Sequence, residues 1–471
     1  MRPVGPGPVV LALSAALVTA CGSGTIDAAD VFDGEVLTIA EADATHPTVA
    51  VDPRDGTVYI AWVGVTEGES NVYLARLDAS GSPPRAGAGP VRVNDVPGDA
   101  APHEQAPAQV RVGPEGEVYV VWQNNTIVPG RRFPASDLRF ARSTDGGRSF
   151  EPAIYVNDDA GGPPASHTFH DLVVAPDGTI YVSWIDGRDP DRGSRIRVAR
   201  SSDGGRSFGP STVVDDEEAC PCCRTALALG PRGELYIAWR KVFEGSIRDI
   251  VLARSTDGGR SFGPPVRVHE DDWVFEACPH AGPAVEVDDG GRIHVAWYTG
   301  AEGREGLWYA TSDDAAARFS PPRPLLATGW APPSLIRLAL HEGRVWAAWD
   351  DRRDGDRRVV VATVPPAGRR IAARGDVKGT EIGRGSAPAV AVGGGVRAVV
   401  WLEDGAVRSR VSRDRGPAVG PNVAAGRYSS RSLKAGSFSP QGIDATRTRM
   451  ITAIPISAAA GRWSPAWVRR R

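Results

Sequence analysis

Apolar and polar residues alternate in short runs along most of the chain, and seven of these runs end in tryptophan: Val58 to Trp62, Val118 to Trp122, Ile180 to Trp184, Leu235 to Trp239, Ile293 to Trp297, Val345 to Trp349 and Arg397 to Trp401. Period-two alternation over so few residues predicts strands with one buried face. A glycine stands six positions before each of these tryptophans, at Gly56, Gly116, Gly178, Gly233, Gly291, Gly343 and Gly395, and predicts a reverse turn that feeds the strand. Most copies show another alternating run before that turn, such as Thr48–Val51 or Pro283–Val287, so the unit opens as a hairpin. A variable loop and a third strand follow (Ser70 to Arg76, Leu138 to Arg142, Ile196 to Arg200, Ile250 to Arg254), then a fourth such as Val91–Val93 or Val266–Val268.

Successive tryptophans lie 52 to 62 residues apart, a period that fits four-stranded sheets repeated around an axis and exceeds that of a helical solenoid unit. The expected fold is an all-β propeller over residues 35–413. Seven blades are the first expectation, six if the weak last unit packs outside the ring. The seventh unit lacks a fourth strand, and Glu35–Ile39 forms a spare strand ahead of the first; pairing the two closes the ring and removes an exposed edge. Composition agrees: of 471 residues, 55 are Gly and 39 Pro, too many turn formers for a helical bundle.

Between third and fourth strands, three units carry the pattern S-x-D-x-G-x-x-F, at Ser143 to Phe150, Ser201 to Phe208 and Ser255 to Phe262; Ser312 to Phe319 is an eroded copy with Ala316 in place of glycine. The aspartate is suited to cap amides of its own turn, the glycines to permit positive φ, and the phenylalanine to pin the turn to its blade. These turns resemble the Asp-box, or BNR, repeats of the sialidase superfamily. The resemblance implies that each blade's first strand starts at the ligand face, that the loop after the second strand returns there, and that Asp-boxes lie on the opposite face. It also raises a glycosidase of sialidase type as a possible activity. Such an enzyme shows an Arg-Ile-Pro segment near its first blade, where this chain has Ala44–Thr48 without arginine. Arg188, Arg240 and Arg352 would be the stand-ins for its arginine grip, and Tyr298 with Glu302 for its nucleophilic pair. Spacing singles none of them out, and no catalytic residue is assigned.

The ends of the chain read differently. Arg2, the apolar stretch Val9 to Val18 and Thr19-Ala20-Cys21 predict an export signal over residues 1–20. Val18-Thr19-Ala20-Cys21-Gly22 resembles the bacterial lipoprotein box, which implies cleavage before Cys21, lipidation of that thiol and a lipid anchor in the membrane of the cell envelope. Residues 21–34 would be a linker. The formal charge of −3 divides into +8 over residues 416–471, +1 at Arg2 and −12 over residues 3–415. An acidic body makes nucleic acid an unlikely partner. The basic tail, 414–471, has no clear periodicity, and its composition predicts disorder.

Counted back from each repeat glycine, His46, His103, His167, His170 and His280 fall 8 to 13 positions ahead, as do Cys220, Cys222, Cys223 and Cys278. Blades 4 and 5 open with Glu218-Ala219-Cys220-Pro221-Cys222 and Glu276-Ala277-Cys278-Pro279-His280 in the same register. Residues two apart in extended chain point the same way, so Cys220, Cys222, Cys278 and His280 are expected to converge, a set fit for tetrahedral zinc or a soft copper ion. Disulfide bonding competes, because exported proteins keep such bonds, and a link from Cys220 or Cys222 to Cys278 would staple blade 4 to blade 5. At least one disulfide is the expectation, with the metal as alternative. Arg224, beside Cys223, is placed to bind a carboxylate or phosphate, and with His170, Asp171, Arg188 and Arg240 makes up the candidate ligand site. Three function classes follow: a module binding a small molecule, glycan or metal on its channel face; a glycoside hydrolase; and a platform for another envelope protein.

Overall fold

In the computed structural model, residues 32–413 are described apart from 82, 83, 88, 190, 328–332 and 365–376; the signal segment, Cys21, most of the linker and the basic tail lie outside the described residues. The strands form seven antiparallel sheets. Blade 1 comprises Ala44–Val51, Val58–Thr66 and Glu69–Asp78, the last of which pairs with both Arg85–Ala86 and Val91–Arg92. Blade 2 runs Gln109–Val112, Val118–Gln123, Leu138–Ser143, Ile154–Tyr155, and blade 3 His167–Val174, Ile180–Asp186, Arg195–Ser201, Thr212–Asp215. Blade 4 is Ala226–Leu229, Leu235–Phe243, Ile247–Ser255, Val266–Arg267, and blade 5 Ala284–Val287, Ile293–Thr299, Gly306–Ser312, Arg323–Leu326. Blade 6 follows with Ile336–His341, Arg344–Asp351, Arg358–Val364, Thr380–Arg384, and blade 7 with Ser386–Gly393, Val396–Glu403, Ala406–Arg413.

The missing fourth strand of blade 7 is Val36–Ala40, paired antiparallel to the third with Val36 opposite Arg410. The ring therefore closes on seven blades. Each first strand contacts the first strands of both neighbouring blades, blade 7 touching blade 1 as well, so these strands line the axis. No α-helix occurs among the described residues.

The repeat tryptophan explains the period. All seven are buried, and each enters the apolar seam between its own blade and the one before: Trp62 between blades 7 and 1, Trp122 between 1 and 2, and so on to Trp401 between 6 and 7. A sheet that twists away from its neighbour leaves a wedge at each seam, and an indole is the largest apolar side chain available to fill it. Truncating one to alanine is expected to cost about 3–5 kcal/mol.

The S-x-D-x-G-x-x-F turns close on themselves. Gly147 N donates to Ser143 Oγ (2.9 Å), Ser143 Oγ to Asp145 Oδ1 (2.7 Å), and the amides of Arg148 and Ser149 to the same carboxylate oxygen (2.9 and 3.0 Å). The copies at Asp203 and Asp257 repeat these bonds. Their second glycines pack on the preceding blade: a Cβ on Gly205 would stand 2.6 Å from the Phe140 ring. The eroded turn keeps the pattern, with Ala316 N on Ser312 Oγ (3.0 Å) and Arg318 N on Asp314 Oδ1 (2.9 Å). It does so with Ala315 and Ala316 in the left-handed region, at φ of 57° and 72°.

Candidate metal centre

The segments ahead of blades 4 and 5 are not free loops. Cys220 N donates to Arg240 O (2.9 Å) and Ala219 N to Ser194 O of blade 3 (3.0 Å). Gln105, wholly buried ahead of blade 2, reaches across to both segments: its Nε2 donates to His280 O (2.7 Å), and its Oε1 accepts from Arg224 N and Gly282 N (3.4 Å each). Arg240, also buried, donates to the carbonyls of Ala281 (2.9 Å), Tyr298 (2.6 Å) and Arg248 (2.6 Å), which binds blade 4 to blade 5. Gly282 allows the closest approach: a Cβ there would lie 2.5 Å from Arg224 O. Buried carbonyls and amides are thereby satisfied across the seam, and the two segments are held at fixed separation.

Within that frame the thiols converge. Cys220 Sγ lies 3.6 Å from both Cys222 Sγ and Cys223 Sγ, and the latter two are 4.0 Å apart. A second group, Cys222, Cys278 and His280, likewise has its donor atoms within 4.8 Å of one another. The donors thus form two triads that share Cys222. Cys220, Cys222 and Cys223 are buried, while Cys278 and His280 are exposed. The four described cysteines are free, so the expected staple between blades is absent among the described residues; nor are the three buried sulfurs joined to one another, standing well beyond the ~2.05 Å of a disulfide.

Arg248 donates Nη1 to Cys220 Sγ (3.1 Å) and Nε to Phe275 O of the blade 5 segment. Hydrogen bonds from the Cys222 and Cys223 thiols, reinforced by the charges of Arg240 and Arg248, hold Cys220 far below the ordinary thiol range. Cys222 is pushed up by its bonds to the other two thiols, and Cys223 is pushed up to about 12 chiefly by burial. Two neighbouring sulfurs and a guanidinium thus single out Cys220 as the most acidic thiol of the three.

The other sequence-expected residues spread over this face. His103 lies near His280, the rings tilted by 33° with centroids 6.2 Å apart, and its Nδ1 accepts from Gln105 N (3.0 Å). His46 is lowered to about 4 by burial and His170, wholly buried, likewise to about 4, so both are neutral at pH 7. His167 is satisfied by Ser136 O (2.7 Å) and Asp159 (3.2 Å). Asp171 accepts from Leu227 N of blade 4 (2.9 Å) and faces Arg111 of blade 2 (3.4 Å). Arg188 is bound to Asp186 and Asp158 (2.8 Å each). Arg224 is buried and donates to Ile336 O (2.6 Å); Arg352 pairs with Asp350. Each of Arg188, Arg240 and Arg352 is engaged by other groups of the protein, Arg188 and Arg352 by carboxylates and Arg240 by carbonyls. Tyr298 is buried, its hydroxyl pushed up to about 12 by that burial, and Glu302 is exposed.

Cys223, in the common register but outside the expected metal set, joins the buried triad; Gln105, which the sequence did not single out, stands in the same register as Cys222 and His280, 11 positions before its glycine. Below the rim, a cavity of about 260 Å³ is lined by Gln109, Arg111, Glu286 and Arg337, with Glu286 pushed up to about 7 by burial.

No family model matches the sequence, and no curated protein matches it. Among solved structures, an ulvan lyase, solved with bound -[GlcA(1-4)Rha3S]-, matches with a TM-score of 0.53 at 11% identity over 80% of this chain and 95% of its own. A Dyadobacter fermentans protein of unknown function matches at 0.49 and 15% identity over 70% and 97%, and a Hadza microbial sialidase at 0.46 and 15% over 65% of each chain. At such identities the likeness is one of fold.

Proposed function

We propose that this chain is an exported propeller, tethered to the membrane of the cell envelope through a lipid on Cys21, that binds a soft metal ion at the rim of its channel. The observation that carries the reading is the sulfur triangle of 3.6, 3.6 and 4.0 Å formed by Cys220, Cys222 and Cys223. Three ligands at about 2.3 Å from a common centre stand about 4.0 Å apart, so a metal fits the triangle with little movement of the chain. Three thiolates without a fourth donor favour copper(I) over zinc, which takes four ligands in structural sites. Two guanidiniums, Arg240 and Arg248, act on Cys220 and offset the negative charge. The fold supplies rigidity: donors from one turn are clamped by hydrogen bonds from blades 2, 3 and 4.

Reduced protein loaded anaerobically with copper(I) alone, or with zinc(II) alone, tests this by elemental analysis beside a free-thiol count. Copper retained against a competing chelator, and reduced by the ion of the buried triad on C220S or C223S, is the expected result; two disulfides and no metal overturn it. The glycosidase alternative rests on fold alone, and turnover of a panel of chromogenic sialosides and other glycosides would be needed to revive it.

A further inference from the structure

We propose that the cluster holds two copper(I) ions, the second bound by Cys278, His280 and the Cys222 sulfur that it shares with the first. This inference rests on the thiolate reading above and extends it from one ion to two. Geometry comes first. Five donors surround the site, yet they do not gather within one 4.8 Å set; they fall into two sets of three with Cys222 in both. A thiolate carries enough lone pairs to bridge two soft ions, and three donors per ion is a coordination number that copper(I) accepts.

Charge comes second. With the charge of Arg224, beside Cys223, set against Asp171, the buried triad as three thiolates, one copper(I) and the guanidiniums of Arg240 and Arg248 sums to zero, and a second copper(I) arriving with the Cys278 thiolate leaves it at zero. Each ligating thiol releases its proton to solvent, and no electron is transferred. Neutrality matters because the inner sulfurs are buried, where uncompensated charge is costly. Two zinc(II) ions on the same donors would leave a surplus of two positive charges.

Position comes third. Cys278 and His280 are the exposed members, so the second ion sits outermost, between solvent and the buried triad. His280 holds a backbone φ of +49°, a conformation most side chains avoid, and its carbonyl is fixed by Gln105 Nε2 at 2.7 Å. Strain retained at an exposed residue needs a reason, and aiming an imidazole across the seam at Cys222 supplies one.

The test is stoichiometry. Titrating reduced, full-length protein with copper(I) alone, in competition with a colorimetric chelator, is expected to saturate at two ions per chain, and X-ray absorption of the loaded protein to show a short copper–copper distance. C278S/H280N alters exposed side chains only, and asparagine tolerates positive φ, so the variant should fold and bind one ion. Saturation of the unaltered protein at one ion, or two ions on C278S/H280N, would overturn the second site while leaving the first. Binding of no ion would sink the thiolate reading itself.

Discussion

The two rims of this propeller use similar ingredients to opposite ends. On one, the Asp-box-like turns bring serine and aspartate together four times, three of them with glycine, and the bonds of those serine and aspartate side chains close within the turn, Asp145 accepting from Arg148 and Ser149. On the other, Cys220, Cys222 and Cys223 face Cys278 and His280 once, across a single seam, with donors that have no covalent bond to satisfy them. Repetition marks what every blade needs in order to fold. A cluster that occurs once, at a seam already held by Gln105, Arg240 and a buried indole, serves something other than folding.

Breaking the second rim should therefore leave the first intact. Cys222→Ser is expected to remove copper binding at both triads, the largest effect of any single change, with the melting temperature of the metal-free protein little altered; substituting Ser201 in an Asp-box should do the reverse. Metal analysis and thermal unfolding of both variants decide it. Next in size is Gly282→Ala. The added Cβ would meet Arg224 O at 2.5 Å and Arg224 N at 3.0 Å, both backbone atoms, so the blade 5 segment must move. A loss of about 2 kcal/mol in unfolding free energy is expected, accompanied by weaker copper binding because the spacing between Cys222 and Cys278 changes with it.

Acid should reach the two rims in different windows. Burial holds His46 and His170 near 4 in the folded chain against an ordinary 6.5. Their neutral forms favour folding, so the stability they contribute is present above pH about 6.5 and is lost as pH falls towards 4. At Asp203 burial is outweighed by hydrogen bonds from Ser207 and Ser201, which hold it at about 2 against 3.8; its contribution is present above about 3.8 and disappears towards 2. Melting temperature against pH should fall in two stages. His170→Gln should flatten the first and Ser207→Ala the second; a single stage insensitive to both would erase the distinction.

Much of the ring was legible because its signals are local: a glycine six residues before a tryptophan specifies a turn and a seam filler, and a chain with three strands in its last blade and one to spare ahead of its first closes in one way. Convergence of the blade 4 and blade 5 segments was legible through their shared register. The division into two triads was not. Side chains two apart share a face only in extended chain, and Pro221–Cys222 forms a turn that folds Cys223 back beside Cys220. The distance across the seam is set by Gln105 and Gly282, whose roles depend on contacts 119 and 58 residues away in sequence, with Arg224. No disulfide is formed among the described residues, and the sequence could not decide the matter, since compartment chemistry says that thiols can pair but not how far apart they are held.

The smallest expected effect sharpens the first rim. Three of its turns have glycine where the fourth has Ala316, at φ of 72° against 77°, 80° and 76° in Gly147, Gly205 and Gly259. A Cβ in this region costs about 1 kcal/mol, whereas glycine adopts it freely. Ala316→Gly should therefore stabilise the protein by somewhat less than ~1 kcal/mol, since Ala316 is buried and its methyl packs in the seam between blades 4 and 5. Gly259→Ala should destabilise by about 1 kcal/mol, because its nearest neighbours stand at 3.3 Å and 3.4 Å and strain outweighs crowding. Denaturant unfolding of the two variants reads both signs. Equal signs would mean that packing rather than backbone conformation governs the turn, and the eroded copy would then be an adapted turn in its own right.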